Sequence, residues 1–434
     1  MPFPDVGKAA QSAIYRAGTF GRRPEVPTDG AALEEAARRA MSRRGFAYVA
    51  GSAGSEATAR ANREAFARWR VVPRMLVDTS ERDLGVELFG RRHASPLLVA
   101  PIGVLSAAHA DADLAVARAA REQEVTPILS TQASVPMEEV AAALRGAGHW
   151  YQLYWSSDDD LVASLVRRAE ACGSEALVVT LDTAYLGWRP RDLDLGHLPF
   201  ARGEGIAQYT SDPVFRRLVA DRVAAKARAD LEPQPRPTPA AVRTLVSLSR
   251  NHPGDTRRNL SAPEPRAAVE TFLDVFSRPS LSWADLPRLR ELTRLPVVLK
   301  GVLHPDDARR AVDEGVDGIL VSNHGGRQVD RSVAALDALP GVVDAVRFSG
   351  SDVPVLFDSG IRSGADVFVA LALGADAVGI GRPHVYALAL AGAAGVAEVL
   401  RNIRAELDLT MALTGCRTLA DITRDRLVEA PTPH

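Results

Sequence analysis

The chain has 434 residues and a formal net charge of −2, and this length permits either two domains or one α/β barrel with insertions. The near-neutral charge excludes the basic surface of a nucleic-acid-binding protein, and Cys172 and Cys416 provide neither a disulfide framework nor a metal-ligand spacing. Residues 1–5 lack a secretory pattern and the longest apolar stretch, 385–397, is too short for a membrane span, so we expect a cytoplasmic protein.

The first part of the chain is predicted to form a cap and not a separate catalytic domain. An Ala/Arg/Glu pattern at 31–44 predicts a helix, and a second helix is expected to end near Trp69. Short irregular or hairpin structure is expected at 70–90. We therefore divide the chain into an N-terminal cap segment, 1–92, and a barrel, 93–434.

Beyond residue 92, short apolar runs alternate with amphipathic segments of helical length, which is typical of βα units and a parallel sheet. The runs are 97–102, 126–131, 150–155, 176–182, 296–302, 319–324, 353–360 and 377–381. Helices are expected between them at 111–123, 137–144, 159–171, 305–314, 334–346 and 364–373. Because the runs number eight, we predict an α/β fold closed into a (β/α)8 TIM barrel.

One connection is far longer than the others. After the fourth run, an insertion at about 193–280 contains the proline-rich stretches 232–239 and 261–265. Because proline breaks helices and strands, we expect the insertion to be partly irregular. It is either a disordered surface excursion or a lid over the barrel mouth. We favour the lid, since barrel active sites are built from loops that follow strands.

Residues 322–328 read Ser-Asn-His-Gly-Gly-Arg-Gln and follow a predicted strand. They place an ionisable base, His324, three residues from a permanent cation, Arg327, which indicates chemistry on an anion. The carboxyl ends of barrel strands converge on one mouth, so polar residues after the other strands should lie nearby. These residues are Tyr154, Thr180, Asp182, Arg189, Lys300, Asp358, Gly360, Arg362, Gly379, Gly381 and Arg382. A carboxylate such as Asp182 beside His324 would fix the imidazole tautomer and favour its protonated form.

The last two strands end in clusters of glycine and arginine. The stretches 358–364 and 379–383 supply glycines for close backbone approach and two arginines. Barrels commonly bind phosphate after their seventh and eighth strands. The two clusters therefore predict a phosphorylated cofactor.

The motifs taken together resemble those of the FMN-dependent α-hydroxy acid oxidases and dehydrogenases, from about residue 46 to residue 417 and with an interruption in the insertion. Residues 322–328 carry the family signature. Support comes from Tyr-Gln-Leu-Tyr at 151–154, Leu-Asp-Thr at 181–183, Leu-Ser-Trp-Ala-Asp-Leu at 281–286 and Leu-Lys-Gly-Val at 299–302. The resemblance implies bound FMN, a small 2-hydroxy acid substrate and O2.

The resemblance also implies roles for single residues. His324 would remove either the hydroxyl proton or the α-proton of the substrate, and Asp182 would stabilise the imidazolium. The substrate would be held by Tyr48, Tyr154, Arg189 and Arg327. The implied FMN-binding residues are Pro101, Ile102, Gly103, Ser130, Gln152, Thr180, Lys300, Ser322, Asp358, Gly360, Arg362, Gly381 and Arg382. Among these, Lys300 would lie near the flavin ring, and Asp358 would hold the ribityl chain.

Some positions depart from the glycolate oxidase pattern within the family. Gly103 stands where that group has Ala, Gln132 where it has a substrate-facing Trp, and Ser52 where Gly is frequent. The stretches 187–193 and 211–215 and the long insertion look like those of lactate 2-monooxygenases.

These similarities favour oxidation of L-lactate to acetate, CO2 and water, because a long lid would retain the 2-oxo acid and Gly103 would leave room at the flavin face. The alternatives are an oxidase that releases a 2-oxo acid and hydrogen peroxide, or a dehydrogenase with another electron acceptor. A non-redox FMN barrel is disfavoured, because His324, Arg189 and Arg327 are all present. The resemblance further implies a homotetramer or an octamer.

Overall fold

The computed structural model describes residues 5–228 and 238–430. Its N-terminal segment contains α1 (Val6–Thr19), α2 (Gly30–Ala40), α3 (Arg43–Ala50), α4 (Ala57–Ala67), β1 (Trp69–Val71), β2 (Val86–Leu88) and β3 (Arg91–His93). The single helix predicted at 31–44 is divided into α2 and the start of α3, because Ser42 interrupts it and caps α3 by accepting a hydrogen bond from the Gly45 N–H. No pattern considered above predicts α1. The hairpin expected at 70–90 is β2–β3, which extends to His93.

The prediction of a (β/α)8 barrel is confirmed. Parallel strands close into a barrel in the order β10-β11-β4-β5-β6-β7-β8-β9. Their bounds are β4 (Leu97–Val99), β5 (Thr126–Ser130), β6 (Trp150–Tyr154), β7 (Leu177–Thr180), β8 (Val297–Lys300), β9 (Gly318–Val321), β10 (Val355–Phe357) and β11 (Ala377–Ile380). Each strand falls within one of the eight apolar runs, except that β9 begins at Gly318, one residue before its run, and every strand residue is buried. Strands covered on both faces need such continuous apolar sequences.

The helices that follow the first three barrel strands match the predicted segments. They are α5 (Ala112–Glu122), α6 (Met137–Leu144) and α7 (Asp159–Ala171). Asp158 caps α7 by accepting a hydrogen bond from the Leu161 N–H at 2.8 Å. A 3₁₀ turn, Leu105–Ala107, precedes α5.

The insertion was expected to be partly irregular, and its described residues are mainly helical with short irregular connections. The insertion region contains α8 (Pro190–Asp194), α9 (Ala207–Thr210), α10 (Pro213–Arg228), α11 (Pro239–Asn251), α12 (Thr256–Asn259) and α13 (Glu264–Val275), with a 3₁₀ turn at Pro199–Arg202. Pro239 and Pro265 lie in the first turns of their helices, where the missing N–H costs nothing. Most of the proline-rich stretch 232–239 lies outside the described residues, since the description stops at 228 and resumes at 238.

The insertion has an aromatic core of its own. The Phe272 ring centroid lies 4.9 Å from that of Tyr209 and 5.1 Å from that of Phe200. All three side chains are buried. The described part of the insertion is therefore folded onto the protein, which disfavours a disordered surface excursion.

The chain completes the barrel with α14 (Leu286–Leu292), α15 (Pro305–Asp313), α16 (Ala335–Phe348), α17 (Gly364–Ala372), α18 (Arg382–Thr414) and β12 (Leu427–Glu429), which pairs with β1. Short 3₁₀ turns lie at Trp283–Asp285, His324–Gly326, Leu419–Asp421 and Arg424–Arg426. Helix α18 is long and apolar enough to cross a membrane, but 72% of its most apolar window is buried within the protein. Such burial is typical of a core helix.

The two ends of the barrel differ in chemistry. At the amino-terminal end, the β2–β3 hairpin closes the barrel, and Phe89 packs on Trp150 with ring centroids 5.2 Å apart. At the carboxyl-terminal end, β7 and β8 finish in the polar residues Thr180 and Lys300. The functional residues are therefore expected at the carboxyl-terminal mouth of the barrel. The cap boundary at residue 92 stays a prediction.

Candidate active site

A cavity with about 970 Å³ of space free of protein atoms lies at the carboxyl-terminal mouth. Many of the residues predicted from the sequence line it. They are Tyr48, Pro101, Ile102, Gly103, Tyr154, Arg189, Lys300, His324, Arg327, Asp358, Gly360, Arg362, Gly381 and Arg382. The wall also includes Gln132, Thr183, Leu186, Phe200 and Ser359. Residues distant in sequence are thus brought together, as convergence of the strand ends requires.

His324 and Asp182 form a largely buried pair, with 19% and 14% of their side chains exposed. The His324 Nδ1 lies 2.8 Å from the Asp182 Oδ1, and the Thr183 hydroxyl donates to the same carboxylate oxygen at 2.9 Å. Because Asp182 occupies Nδ1, the Nε2 atom of His324 is the ring nitrogen left to take a proton. The pair therefore has the geometry of a general base held by a carboxylate.

Burial determines the charge state of His324. Burial lowers the pKa of His324 and outweighs the attraction of Asp182, while the charge of Lys300 acts in the same direction as burial. Burial opposes ionisation of Asp182, but His324 and Lys300 together hold the pKa of Asp182 well below its usual range. Asp182 raises the pKa of His324, as expected, whereas burial lowers the pKa overall and favours the neutral base.

The backbone around His324 is unusual. His324 has a φ of 57°, and Gly325 and Gly326 follow with φ of 64° and 79°. Positive φ is costly for His, whereas glycine adopts it readily. The Ser322 hydroxyl accepts a hydrogen bond from the His324 N–H at 3.0 Å, and the Ser359 hydroxyl accepts one from the Gly325 N–H, also at 3.0 Å. These bonds hold the turn that directs the imidazole toward the cavity.

Arg189 and Arg327 place two cations on one wall. The Arg189 guanidinium donates to the Gln328 side-chain oxygen at 2.8 Å and to the Arg327 carbonyl at 3.2 Å. Arg327 donates to the carbonyls of Tyr48 and Gly51, and its guanidinium carbon lies 4.9 Å from the Tyr48 ring centroid. Burial and the neighbouring charge of Arg327 lower the pKa of Arg189 to about 10.

Among the described residues, neither Arg189 nor Arg327 forms an ion pair with a carboxylate. Two like charges at one wall are unfavourable until an anion binds between them. Burial raises the pKa of Tyr48, so its phenol stays protonated and can donate a hydrogen bond. The arrangement suits a substrate carboxylate, which the planar guanidinium binds in bidentate fashion.

The glycine and arginine clusters lie where a phosphate is expected. Arg382 donates to the carbonyls of Val49 and Gly325 at 3.0 Å each and to the Ser52 hydroxyl at 2.9 Å. Burial lowers the pKa of Arg382 to about 10 and also lowers the pKa of Arg362. In the part of the chain that the structure describes, neither arginine pairs with a carboxylate. Two half-buried cations that lack carboxylate partners among the described residues fit a bound phosphate.

A polar layer lies directly behind the cavity. The Ser130 hydroxyl donates to the Gln152 side-chain oxygen at 3.2 Å, and the Gln152 amide donates to the Thr180 hydroxyl at 3.0 Å. The Lys300 ammonium donates to the Ser322 hydroxyl at 2.9 Å. Of the residues predicted to contact FMN, Ser130, Gln152, Thr180 and Ser322 belong to this layer and do not line the cavity. Asp182 likewise lies behind His324.

Lys300 connects the polar layer to the cavity. Its ammonium lies 3.8 Å from the Asp182 Oδ2 and 3.6 Å from the Asp358 Oδ2, and only 3% of its side chain is exposed. A fixed cation between two carboxylates can stabilise negative charge on a nearby ring. Asp358 also accepts a hydrogen bond from the Ser359 hydroxyl at 2.8 Å, which orients its carboxylate.

Gly103 has a different role from the one expected. A Cβ atom built on Gly103 would lie 2.8 Å from both the Cβ and the carbonyl oxygen of Gln132. Glycine is thus needed here for close packing against Gln132. The expectation that Gly103 opens space at the flavin face is corrected.

Sequence reasoning missed four residues that shape the site. Ser359 and Thr183 hold the base and its carboxylate, and Gln328 donates to the Asp182 carbonyl at 2.8 Å while binding Arg189. Gln328 is the last residue of the 322–328 stretch, so that sequence motif could have identified it as a site residue. The sequence offered no such signal for Phe200, because it lies in an insertion whose path the sequence does not reveal.

The donors and cations fit FMN. The cavity wall combines the unpaired Arg362 and Arg382 for a phosphate, Asp358 for hydroxyl groups and the buried Lys300 for a ring that gains negative charge. The wall contains Gly379, and Gly381 has no other atom within 4 Å of a Cβ built on it, so the backbone leaves room for a close ligand. No group of residues suited to a metal ion is found in the described residues.

Comparison with known proteins supports this assignment. The sequence profile of the FMN-dependent dehydrogenase family matches residues 37–429. An FMN-dependent α-hydroxy acid dehydrogenase of Penicillium citrinum is 41% identical over 416 residues, which cover 96% of this chain and 94% of the relative. An L-lactate oxidase of Lysinibacillus sphaericus is 38% identical, with 92% of each chain covered.

A solved structure extends the similarity to three dimensions. Mandelate oxidase with (S)-4-hydroxymandelic acid matches with a TM-score of 0.74 and 37% identity, covering 93% of this chain and 99% of that one. The cavity residues, the profile match and the relatives therefore agree. The chain belongs to the family of FMN-dependent α-hydroxy acid oxidases and dehydrogenases.

Proposed function

We propose that this protein is an L-lactate 2-monooxygenase, which converts L-lactate and O2 to acetate, CO2 and water within the FMN-dependent 2-hydroxy acid chemistry of its family. The observation that carries the proposal is the arrangement of a base held by Asp182 and two arginines that have no carboxylate partner among the described residues, in a cavity that Phe200 of the insertion lines. A 2-hydroxy acid offers a carboxylate to the arginines and a hydroxyl to the base.

Substrate binding begins at the arginine pair. Arg189 and Arg327 hold the carboxylate, and the protonated Tyr48 phenol adds a hydrogen bond. Because both guanidinium groups are tied to carbonyl or amide oxygens, little side-chain freedom remains to be lost on binding. The clamp therefore orients the α-carbon in the cavity.

Proton transfer is the task of His324. The Nε2 atom takes the hydroxyl proton, or in a carbanion route the α-proton, and the Asp182 carboxylate stabilises the imidazolium that forms. Bound FMN supplies the acceptor for the two electrons that leave the substrate. Lys300, Asp358 and Arg382 would hold it there.

The proposed product depends on the part of the insertion that lines the cavity, which we call the roof. Phe200, which is 1% exposed, lines the cavity and packs on Tyr48 with ring centroids 6.4 Å apart. The insertion thus contacts a residue of the substrate clamp. A roof of this kind would retain the 2-oxo acid until O2 has reacted, which favours oxidative decarboxylation.

A second candidate is an oxidase that releases the 2-oxo acid and hydrogen peroxide. The names of relatives favour it, because they include L-lactate oxidases, 4-hydroxymandelate oxidase and peroxisomal (S)-2-hydroxy-acid oxidase. The corrected role of Gly103 also removes one argument for the monooxygenase. The insertion roof remains the argument that separates the candidates.

A product assay distinguishes them. The holoenzyme is supplied with L-lactate under air, and acetate, pyruvate and peroxide are measured with the O2 consumed. One acetate for each O2, with little peroxide, is the expected result. One pyruvate and one peroxide for each O2 would refute the monooxygenase and establish the oxidase.

By resemblance we further propose a cytoplasmic homo-oligomer, either a tetramer or an octamer.

A further inference from the structure

The side-chain amide of Gln132 is an unused polar group in the cavity wall. Gln132 follows β5, is 6% exposed and lines the cavity. Its Nε2 atom has no hydrogen-bond partner in the part of the chain that the structure describes. A buried donor without a partner is destabilising, so a ligand group that accepts a hydrogen bond from it would be favoured.

The backbone of Gln132 is held in place from several directions. Its carbonyl accepts a hydrogen bond from the Val104 N–H at 2.9 Å, and its N–H donates to the Ser130 hydroxyl at 3.1 Å. Gly103 and Gly205 pack so closely that a Cβ on either would lie 2.8 Å or 3.1 Å from the Gln132 carbonyl oxygen. The amide is therefore mounted on a rigid support between the barrel and the insertion.

The position of Gln132 determines which part of a substrate it can meet. In the closed order of strands, β5 lies four places from β9, so the loops after these strands face each other across the mouth. His324 and Arg327 follow β9. A hydroxy acid held at those residues by its carboxylate and hydroxyl has its remaining substituent free to cross the mouth, and Gln132 lines the far side of that mouth.

Three other wall residues, Phe200, Leu186 and Ile102, are apolar. Tyr154 also lines the cavity, and burial raises the pKa of its phenol, so it remains neutral. Gln132 is thus an amide in a wall that contains several apolar residues.

We propose that Gln132 is a specificity residue that hydrogen-bonds an oxygen on C3 of the substrate. Given the FMN-dependent 2-hydroxy acid oxidation on which it rests, the inference defines a substrate class. Short L-2-hydroxy acids with a hydroxyl group on C3 are preferred over acids of the same size with a methyl group there. L-glycerate and L-2-hydroxybutyrate form such a pair, and L-lactate is the minimal reference.

The test compares this pair in the wild-type holoenzyme and in Gln132→Met, which keeps the length of the side chain and removes the amide. Anaerobic flavin bleaching gives the reduction rate constants. Titration of the oxidised holoenzyme with hydroxypyruvate and with 2-oxobutanoate, followed by flavin absorbance, gives dissociation constants without turnover. Gln11→Met, on an exposed position of α1, is the matched control.

Wild type and the control are expected to favour the oxygenated member of each pair by roughly tenfold, and Gln132→Met is expected to lose that preference. Equal binding of hydroxypyruvate and 2-oxobutanoate by the wild type would overturn the inference even if the variant does not fold. An unchanged preference in Gln132→Met, with a shifted flavin spectrum, would also overturn it and assign the amide to the cofactor. If no 2-hydroxy acid bleaches the flavin, the proposed function itself fails. Bleaching by L-lactate without discrimination between the pair refutes only the role of Gln132.

Discussion

The two sides of the cavity are built from different parts of the chain. The cofactor side, which is predicted to bind FMN and consists of Lys300, Asp358, Gly360, Arg362 and Arg382, comes from the ends of β8, β10 and β11. The substrate side, formed by Tyr48, Gln132, Arg189 and Phe200, draws on α3, the loop after β5, the segment after β7 and the insertion. The barrel alone thus supplies the cofactor site, while added segments supply the features that select a substrate.

The two sides also differ in how their polar groups are satisfied. Lys300 is surrounded by Ser322, Asp182 and Asp358 within 3.8 Å. On the substrate side, the Gln132 amide nitrogen has no partner among the described residues, and Arg189 has neutral acceptors but no carboxylate. Arg362 and Arg382 on the cofactor side likewise lack a carboxylate partner in the described ranges, so a ligand completes both sides, and Lys300 is the cation that is prepared in advance.

The largest expected effect is at the base that serves both sides. His324→Gln should retain FMN, because the cofactor residues are unchanged, but should slow flavin reduction by L-lactate by about 10³-fold or more. Stopped-flow bleaching under anaerobic conditions measures the rate, and the visible spectrum reports bound FMN. Normal reduction by this variant would refute the role of His324. Loss of FMN would show that the two sides are not separable.

A smaller effect is expected from the substrate clamp alone. Arg189→Lys keeps the charge but removes the planar fork, and should lower kcat/KM by about 100-fold while leaving FMN affinity unchanged. Arg191→Lys is the matched control, because Arg191 pairs with Glu56 and does not line the cavity. Steady-state kinetics and FMN titration check both variants. Equal losses in the two would contradict the assignment of Arg189 to the carboxylate.

The smallest expected effect is at Asp113, whose carboxylate holds the loop after β5 that contains Gln132 and Ser134. The Asp113 carboxylate accepts a hydrogen bond from the Ser134 N–H at 2.8 Å, and burial raises the pKa of Asp113 to about 7. A carboxylate with a raised folded-state pKa destabilises the protein increasingly as pH rises from about 4 to about 7. Asp113→Asn removes this destabilising charge. The free energy of unfolding of the variant, minus that of the wild type, should therefore be about 2 kcal/mol larger at pH 8 than at pH 5.

Urea unfolding of both proteins at the two pH values measures this difference. Asp111→Asn, on an exposed neighbour, is the control and should show no such dependence on pH. A parallel pH response of Asp113→Asn and the wild type would contradict the assignment. If the Asn variant also keeps the wild-type discrimination between L-glycerate and L-2-hydroxybutyrate, the loop is held by geometry and not by the charge of Asp113.

Local sequence was sufficient where each element satisfies its own requirements. The buried strands need continuous apolar runs, and α6 and α7 agree with the predicted segments because amphipathic spacing and the Asp158 cap are local signals. The stretch 322–328 likewise places His324 and Arg327 together, because they are close in the chain.

Predictions from local sequence were wrong for proline positions and for contacts between residues that are distant in the chain. Pro265 was expected to break regular structure, but it lies in the first turn of α13, where its fixed φ favours a helix. Gly103 was assigned to the flavin face, although its constraint comes from Gln132. Neither outcome is encoded in the neighbouring residues.

The sequence by itself determined the barrel and, by resemblance, the cofactor, and it predicted the residues of the base and the arginine clamp, because these depend on periodicity and on short motifs. Only the tertiary structure decided that burial lowers the pKa of His324, that Phe200 of the insertion lines the cavity and that the Gln132 amide nitrogen lacks a partner among the described residues. Burial controls a pKa, and contacts between distant segments control both the roof and the amide. These quantities exist only once the chain is folded.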